Sequence, residues 1–233
     1  AICDVRLESL PLERSQLAVS LSSSYPSGQI RYSMDGKDPD LRSPLYERPI
    51  PIGQSAGVKA AMFDGGRRIG SVASQVYRLN RATASKVQLA NPPAEEYANG
   101  GAFRLVDGVT GPIPWFGSDW LGFSGTDLDA TIDLGVAQEI RRVAVDFLED
   151  RGSWIWYPIS VEVSVSQDGR NFTPVGSWTK ETAGTVDRWC TIKFPPTAAQ
   201  YVRIVARNAG VIPDGNAGAG RPAWLFADEI QAE

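Results

Sequence analysis

Apolar and polar residues alternate in short runs along almost the whole chain. Leu17, Val19 and Leu21 alternate with Ala18, Ser20 and Ser22, and Ile30, Tyr32 and Met34 alternate with Arg31, Ser33 and Asp35 before the turn Asp35-Gly36-Lys37-Asp38-Pro39. Val58, Ala60 and Met62 run into Asp64-Gly65-Gly66, a hairpin signal, and a last strand around residues 72–79 closes this set. Further on, Val143, Val145 and Phe147 make one inward face. Val161, Val163 and Val165 alternate with Glu162, Ser164 and Ser166, and Val202, Ile204 and Ala206 face inward with Arg203 and Arg207 outward. Beyond a turn near residues 94–98 no segment carries a helical period, so the pattern predicts an all-β protein.

The spacing of strands and turns over residues 1–80 predicts a small immunoglobulin- or fibronectin-like β-sandwich. Residues 80–85 (Asn-Arg-Ala-Thr-Ala-Ser) are small, polar and unpatterned, and read as the boundary. Residues 81–233 then form a second β-module with longer strands and more aromatic loops. Cys190 shares a face with Ile192 and Phe194 and reads as a core residue; Cys3 is far from it in sequence, and both read as free thiols.

Composition removes whole classes of function. The net charge of -4 without any basic run argues against nucleic acid, and no apolar run approaches the ~20 residues of a membrane span. Histidine is absent, which excludes Ser-His-Asp and Cys-His catalysis and imidazole-based zinc sites and leaves carboxylate, Lys or Tyr chemistry. The chain opens at Ala1-Ile2-Cys3-Asp4 in ordered-looking sequence without a leader, and reads as a piece of a longer protein.

Aromatic residues gather in three loop-like stretches, residues 111–118, 149–157 and 210–224. Trp115, Trp154 and Trp156 there are candidates to stack on the C–H face of a sugar ring, with Asp150, Asn216 and Arg221 to bond its hydroxyls. The last loop, rich in Gly, Asn and Pro, has too little apolar content to anchor itself and is expected to be exposed and mobile unless a neighbouring surface orders it. Trp120 and Trp224 lie in core-like motifs and read as packing residues. The same loops suit docking onto another domain, a use that composition does not separate from sugar binding. An enzyme would need two carboxylates meeting in a cleft, for which Asp127, Asp129, Glu149 and Asp150 are nominal candidates. The first module carries no chemistry: its tyrosines read as packing, and Asp35, Asp38 and Asp40 as turn caps.

Taken in order, Leu105-Val106-Asp107-Gly108, Trp120-Leu121-Gly122-Phe123, Asp127-Leu128, Ile132-Asp133-Leu134-Gly135, Val161 to Ser166 with Gln167-Asp168-Gly169, Tyr201-Val202-Arg203-Ile204 and Asp228-Glu229-Ile230 resemble a discoidin (factor 5/8 type C) domain, the fold of carbohydrate-binding module family 32. Ile30 to Gly36, Asp38-Pro39, Ser43-Pro44-Leu45-Tyr46 and Val58-Lys59-Ala60 resemble the small β-domain that follows the catalytic barrel in chitobiase-type enzymes. The tandem is similar to the C-terminal region of bacterial β-N-acetylhexosaminidases of glycoside hydrolase family 20. The resemblance implies a galactose-binding-like jelly roll as the second module. It also implies a periplasmic, outer-surface or secreted setting, and galactose- or N-acetylhexosamine-bearing glycans as ligands, with the first module as a spacer. The alternative it implies is a purely structural buttress for a catalytic barrel elsewhere in the protein. That family's catalytic Asp-Glu pair follows His-x-Gly-Gly. Asp228-Glu229 has no such segment before it, and a (β/α)8 barrel of ~250 residues does not fit here. The pair therefore reads as structural. The discoidin resemblance further implies a structural calcium ion, with Asp107, Thr110 and Glu229 as matching ligands.

Overall fold

The computed structural model describes residues 4–180 and 187–233; Cys3 lies outside them. The first module holds β1 (Arg6–Glu13), β2 (Gln16–Ser22), β3 (Gln29–Ser33), β4 (Ile50–Ile52), β5 (Ala56–Asp64) and β6 (Arg67–Tyr77). They form two three-stranded antiparallel sheets, β1-β2-β4 and β3-β5-β6. The period-2 pattern sets which side chains meet between them: Leu17, Val19, Leu21, Ile52, Val58, Ala60 and Met62 close one core. The hairpin predicted at Asp64-Gly65-Gly66 joins β5 to β6, with Asp64 opposite Arg67. Met34 departs from its expected inward place. It follows the last residue of β3, where pairing ends, and is exposed.

The second module holds β7 (Lys86–Leu89), β8 (Leu121–Ser124), β9 (Leu128–Leu148), β10 (Ser160–Ser166), β11 (Thr173–Thr179), β12 (Trp189–Arg207) and β13 (Trp224–Ala232) in one seven-stranded antiparallel sheet. Its two longest strands change neighbours midway. Leu128–Asp133 of β9 pairs with Tyr201–Ala206 of β12, whereas Arg142–Asp146 pairs with Trp189–Lys193, and the register breaks between Lys193 and Thr197 and again between Ala199 and Tyr201. The sheet thus folds over itself into two layers: β11, β10, β7 and one half of β9 and β12 face β8, β13 and the other half. Val161, Val163, Ile204 and Ile132 from one layer share a core with Phe123, Val145, Phe147 and Leu225 from the other.

The boundary segment is a packed staple rather than a loose linker. Asn80 accepts through Oδ1 from the amides of Ala82 (2.8 Å) and Ala232 (3.1 Å), and its own amide donates to Thr83 Oγ1 (2.9 Å). The Ser15 amide donates to the Thr83 carbonyl and that of Arg78 to Gly108, at 2.9 and 2.8 Å, which ties both modules to the turn. Phe103 packs against both cores. The Asn80 and Thr83 side chains stand in for backbone partners here, and Ala82, Thr83 and Ser85 are buried around them.

Two outcomes test this account. Asn80→Ala strands two inward N–H groups and is expected to lower unfolding free energy in urea by about 2–3 kcal/mol. Cys190 is buried, and burial pushes its thiol up to about 12. With Cys3→Ser in place, the native protein is expected to resist a disulfide reagent at mildly alkaline pH and to react only when unfolded.

Candidate functional site

All three aromatic loops converge on one end of the second sandwich. Between β9 and β10 a short 3-10 turn, Arg151–Ser153, precedes Trp154 at φ +66°. Asp150 and Ile155 exchange backbone hydrogen bonds (3.0 and 2.9 Å), and Trp156 and Trp154 bond in turn to the start of β13 at Trp224 (2.8 and 2.9 Å). The loop is therefore stitched to the sheet on both sides.

Trp115 and Asp150, expected to meet a sugar, meet each other. The Trp115 indole N–H donates to Asp150 Oδ2 at 3.0 Å, and its ring stands edge-on to Phe226 (5.3 Å) and Tyr97 (6.3 Å). Hydrogen bonds from Ser153 and Trp115 hold the Asp150 carboxyl below the usual carboxylate range. This pair clamps residues 111–118 to residues 149–157. Trp120 is wholly buried, and Trp224 packs edge-on to Tyr97 and Phe226.

Residues 210–224 are largely exposed, as expected, and pack on a neighbouring surface, the Trp154 ring. They form a small hairpin in which Ile212 and Arg221, Gly220 and Ile212, and Ala223 and Gly210 are hydrogen-bonded at 2.8–2.9 Å. Ile212 is buried and supplies the anchor that composition had hidden. Gly218, at φ +78°, lies against the Trp154 indole so closely that a Cβ would come within 2.6 Å of the ring, and the Arg221 guanidinium sits 5.3 Å from the same ring. Arg151 covers Trp156 at 4.5 Å. The Asn216 amide nitrogen is engaged by its own loop, at Pro213 O (3.1 Å) and Asp214 O (3.4 Å).

The outermost apolar groups at this end are Ile113, Phe116 and Val211, each 63% exposed, none of them among the residues the sequence assigned to ligand contact. Their signal was present in Pro112-Ile113-Pro114-Trp115-Phe116-Gly117, a turn-rich stretch unable to bury successive apolar residues. Beside Ile113 a shallow depression of about 170 Å³ has Tyr157 in its floor and Glu149, Asp187 and Arg188 around it.

Of the nominal acids, Asp127 is taken by Arg207 (2.6 Å), Asp129 by Arg203 (2.7 Å) and Glu149 by Arg151 (3.0 Å). A tight acidic pair does exist, but inside the protein. Asp146 and Asp228 are both fully buried, and Arg188 binds Asp146 while lying 3.5 Å from Asp228 and donating to the Gly111 carbonyl at 2.6 Å. Asp228 also accepts from the Gly111 amide. Burial, together with the neighbouring Asp146, pushes the Asp228 carboxyl well above its ordinary range. Only glycine fits at 111, because a Cβ would stand 2.7 Å from the Trp120 indole nitrogen and 2.8 Å from the Asp228 carboxylate.

Of the residues matching calcium ligands, Asp107 and Glu229 lie near each other, close enough for the charge of Asp107 to push the Glu229 carboxyl up. Asp107 Oδ2 accepts from Arg104 (3.0 Å) and Oδ1 from the Val109 amide (2.9 Å); Glu229 accepts from the Gly108 amide (3.2 Å) and the Asn80 side chain (3.5 Å). Thr110 lines a separate cleft beside Arg142. Among the described residues no three acidic or cysteine side chains are grouped to hold a metal ion. Each carboxylate oxygen already faces an N–H, and a guanidinium stands where a hard cation would need oxygen ligands. Calcium or a chelator is therefore expected to leave the melting temperature unchanged.

Arg188→Met is expected to cost about 3–5 kcal/mol, because it leaves buried carboxylates without their cation. Adding Asp146→Asn in that background should recover part of the loss in urea unfolding. Gly218→Ala is expected to make Trp154 fluorescence more accessible to a soluble quencher.

Comparison with known proteins places these modules. The family model described as F5/8 type C domain matches residues 81–220, and that described as chitobiase/beta-hexosaminidase C-terminal domain matches residues 13–74. No curated protein matches the chain. Among solved structures, chitosan-binding module 1 from a chitosanase/glucanase of Paenibacillus sp. IK-5 is 19% identical over 66% of this chain and 98% of that one, with a TM-score of 0.46. The Clostridium perfringens module CpGH89CBM32-5, in complex with GalNAc-beta-1,3-galactose, is 20% identical over 64% and 94%, at 0.43. The lectin domain of lectinolysin, complexed with Lewis B antigen, is 14% identical over 66% and 95%, at 0.46. With its matched model covering more than half of its length, the chain belongs to the F5/8 type C, or discoidin, family, and the segment before that module is similar to the chitobiase/beta-hexosaminidase C-terminal domain.

Proposed function

We propose that this chain is a non-catalytic accessory region of a β-N-acetylhexosaminidase. In this reading the loop end of its discoidin module binds glycans bearing galactose or N-acetylhexosamine, and the first module is a spacer. One observation carries it: three loops distant in sequence bring Trp154 with Arg221 on its ring, Trp156 with Arg151, and exposed Phe116 and Ile113 to the same end. Exposed apolar side chains beside guanidiniums that lie over the tryptophan rings suit a pyranose, whose ring offers C–H on one side and hydroxyls around its rim. The depression beside Ile113 adds Glu149 and Arg188 as hydrogen-bonding groups. A site this shallow contacts one or two sugars, so monovalent binding is weak and gains its use when coupled to a second domain. The reading places the protein in the periplasm, on the cell surface or outside the cell.

Exposure of Ile113, Phe116 and Val211 also suits the second reading, a buttress docked on a catalytic barrel. A glycan array followed by calorimetric titration separates the two. Binding of a neutral galactose- or N-acetylhexosamine-terminated glycan is expected, with about tenfold loss for Trp154→Ala and for Phe116→Ala. Phe116 is exposed enough for its variant to fold normally. Folded protein without array signal or heat would overturn the glycan reading and favour the buttress.

A further inference from the structure

The two modules meet along an open cleft of about 490 Å³. Gln75 and Arg78 line it from the first module; Thr110, Arg142, Trp189 and Gln231 line it from the second. Two guanidiniums, two amides, a hydroxyl and an indole therefore face one another in a chain whose net charge is -4. Among the described residues Arg78 makes no ion pair and no side-chain hydrogen bond, and Trp189 stacks on no other ring. Arg142 does have a partner, Glu233 at 3.0 Å, with Gln231 at 3.5 Å. Arg142 is largely shielded but Glu233 is half-exposed, so an incoming carboxylate would have to take the place of that one surface acid.

We infer that this cleft is a second glycan site, separate from the loop end, and that it takes an acidic sugar of the uronate class. Arg78 and Arg142 hold the carboxylate, in the forked geometry that guanidiniums provide. The C–H face of the ring lies on Trp189, while Gln75, Gln231 and Thr110 bond the hydroxyls. The polar uncharged groups outnumber the charged ones, so the fitting ligand is rich in hydroxyls and carries one acidic group. Clefts between modules are favoured places for ligands, and this one has walls fixed by the bonds at Asn80 and Thr83.

Calorimetric titration with a uronate disaccharide and its neutral counterpart tests the inference. The uronate is expected to bind about tenfold more tightly than the neutral sugar, with affinity falling as salt rises. Arg78→Gln, on an exposed side chain, should remove about tenfold of that affinity, and the Trp189 indole N–H resonance should shift on uronate addition. Trp154→Ala should leave uronate binding intact, and Arg78→Gln should leave neutral-glycan binding at the loop end intact, so failure at one site is distinguishable from failure at the other. The inference is overturned by an absence of uronate binding or by unchanged affinity in Arg78→Gln. It is equally overturned by loss of uronate binding in Trp154→Ala, or by inorganic sulfate displacing the uronate at equal concentration.

Discussion

Arg188 reaching inward to two buried carboxylates is the constraint on which the second module turns. Asp146 belongs to β9, Asp228 to β13, and Gly111 to the loop leading to the aromatic end. A single guanidinium therefore joins two strands and a loop at one point, with the Trp120 ring 5.0 Å away. Such a cluster is poor as a source of net stability, since taking the charges out of water offsets most of their attraction. Its value lies in exactness of place: an acidic pair with one cation tolerates few alternative registers. The bulge in β13 between Ala227 and Glu229 lets the consecutive Asp228 and Glu229 side chains both turn inward, one to this cluster and the other to the junction.

That second carboxylate links the cluster to the rest of the protein. Glu229 reaches the Gly108 amide and the Asn80 side chain, and Asn80 in turn holds the amide of Ala232. From the aromatic end to the first module the chain of contacts runs through buried polar groups on different elements, although Asp228 Oδ1 and the Trp120 indole nitrogen are left without a hydrogen-bond partner. Such networks give specificity of geometry when complete and penalise loss of any member.

Much of the scaffold was legible in the sequence, because period-2 alternation and a Gly-Gly turn are local signals. The run from Val161 to Val165 and the β5-β6 hairpin needed no tertiary information. β1 escaped notice: it is an edge strand carrying Pro11, Arg6, Glu8 and Glu13, so its apolar positions do not alternate cleanly. Residues 80–85 read only as an unpatterned boundary because short polar side chains look alike whether they face water or replace backbone partners. At the site, the clustering of the three loops was visible as aromatic content, but the division of labour within it was not. Whether Trp115 stacks on a ligand or clamps a neighbouring loop depends on where Asp150 lies, which is a long-range fact. Phe116 was legible as a loop aromatic, but its exposure beside the half-buried Trp115 was not.

The stapled boundary carries a geometric consequence. Along β9, Arg142 at the cleft and Leu148 at the aromatic end are six residues apart, about 20 Å at a strand's rise of ~3.3 Å per residue. A flexible hinge would let a captured chain sweep through a volume, and its benefit would then follow the statistics of a tether. A welded joint behaves instead as a strut: it sets bearing as well as reach, and a polysaccharide touching both ends would be drawn taut in one direction.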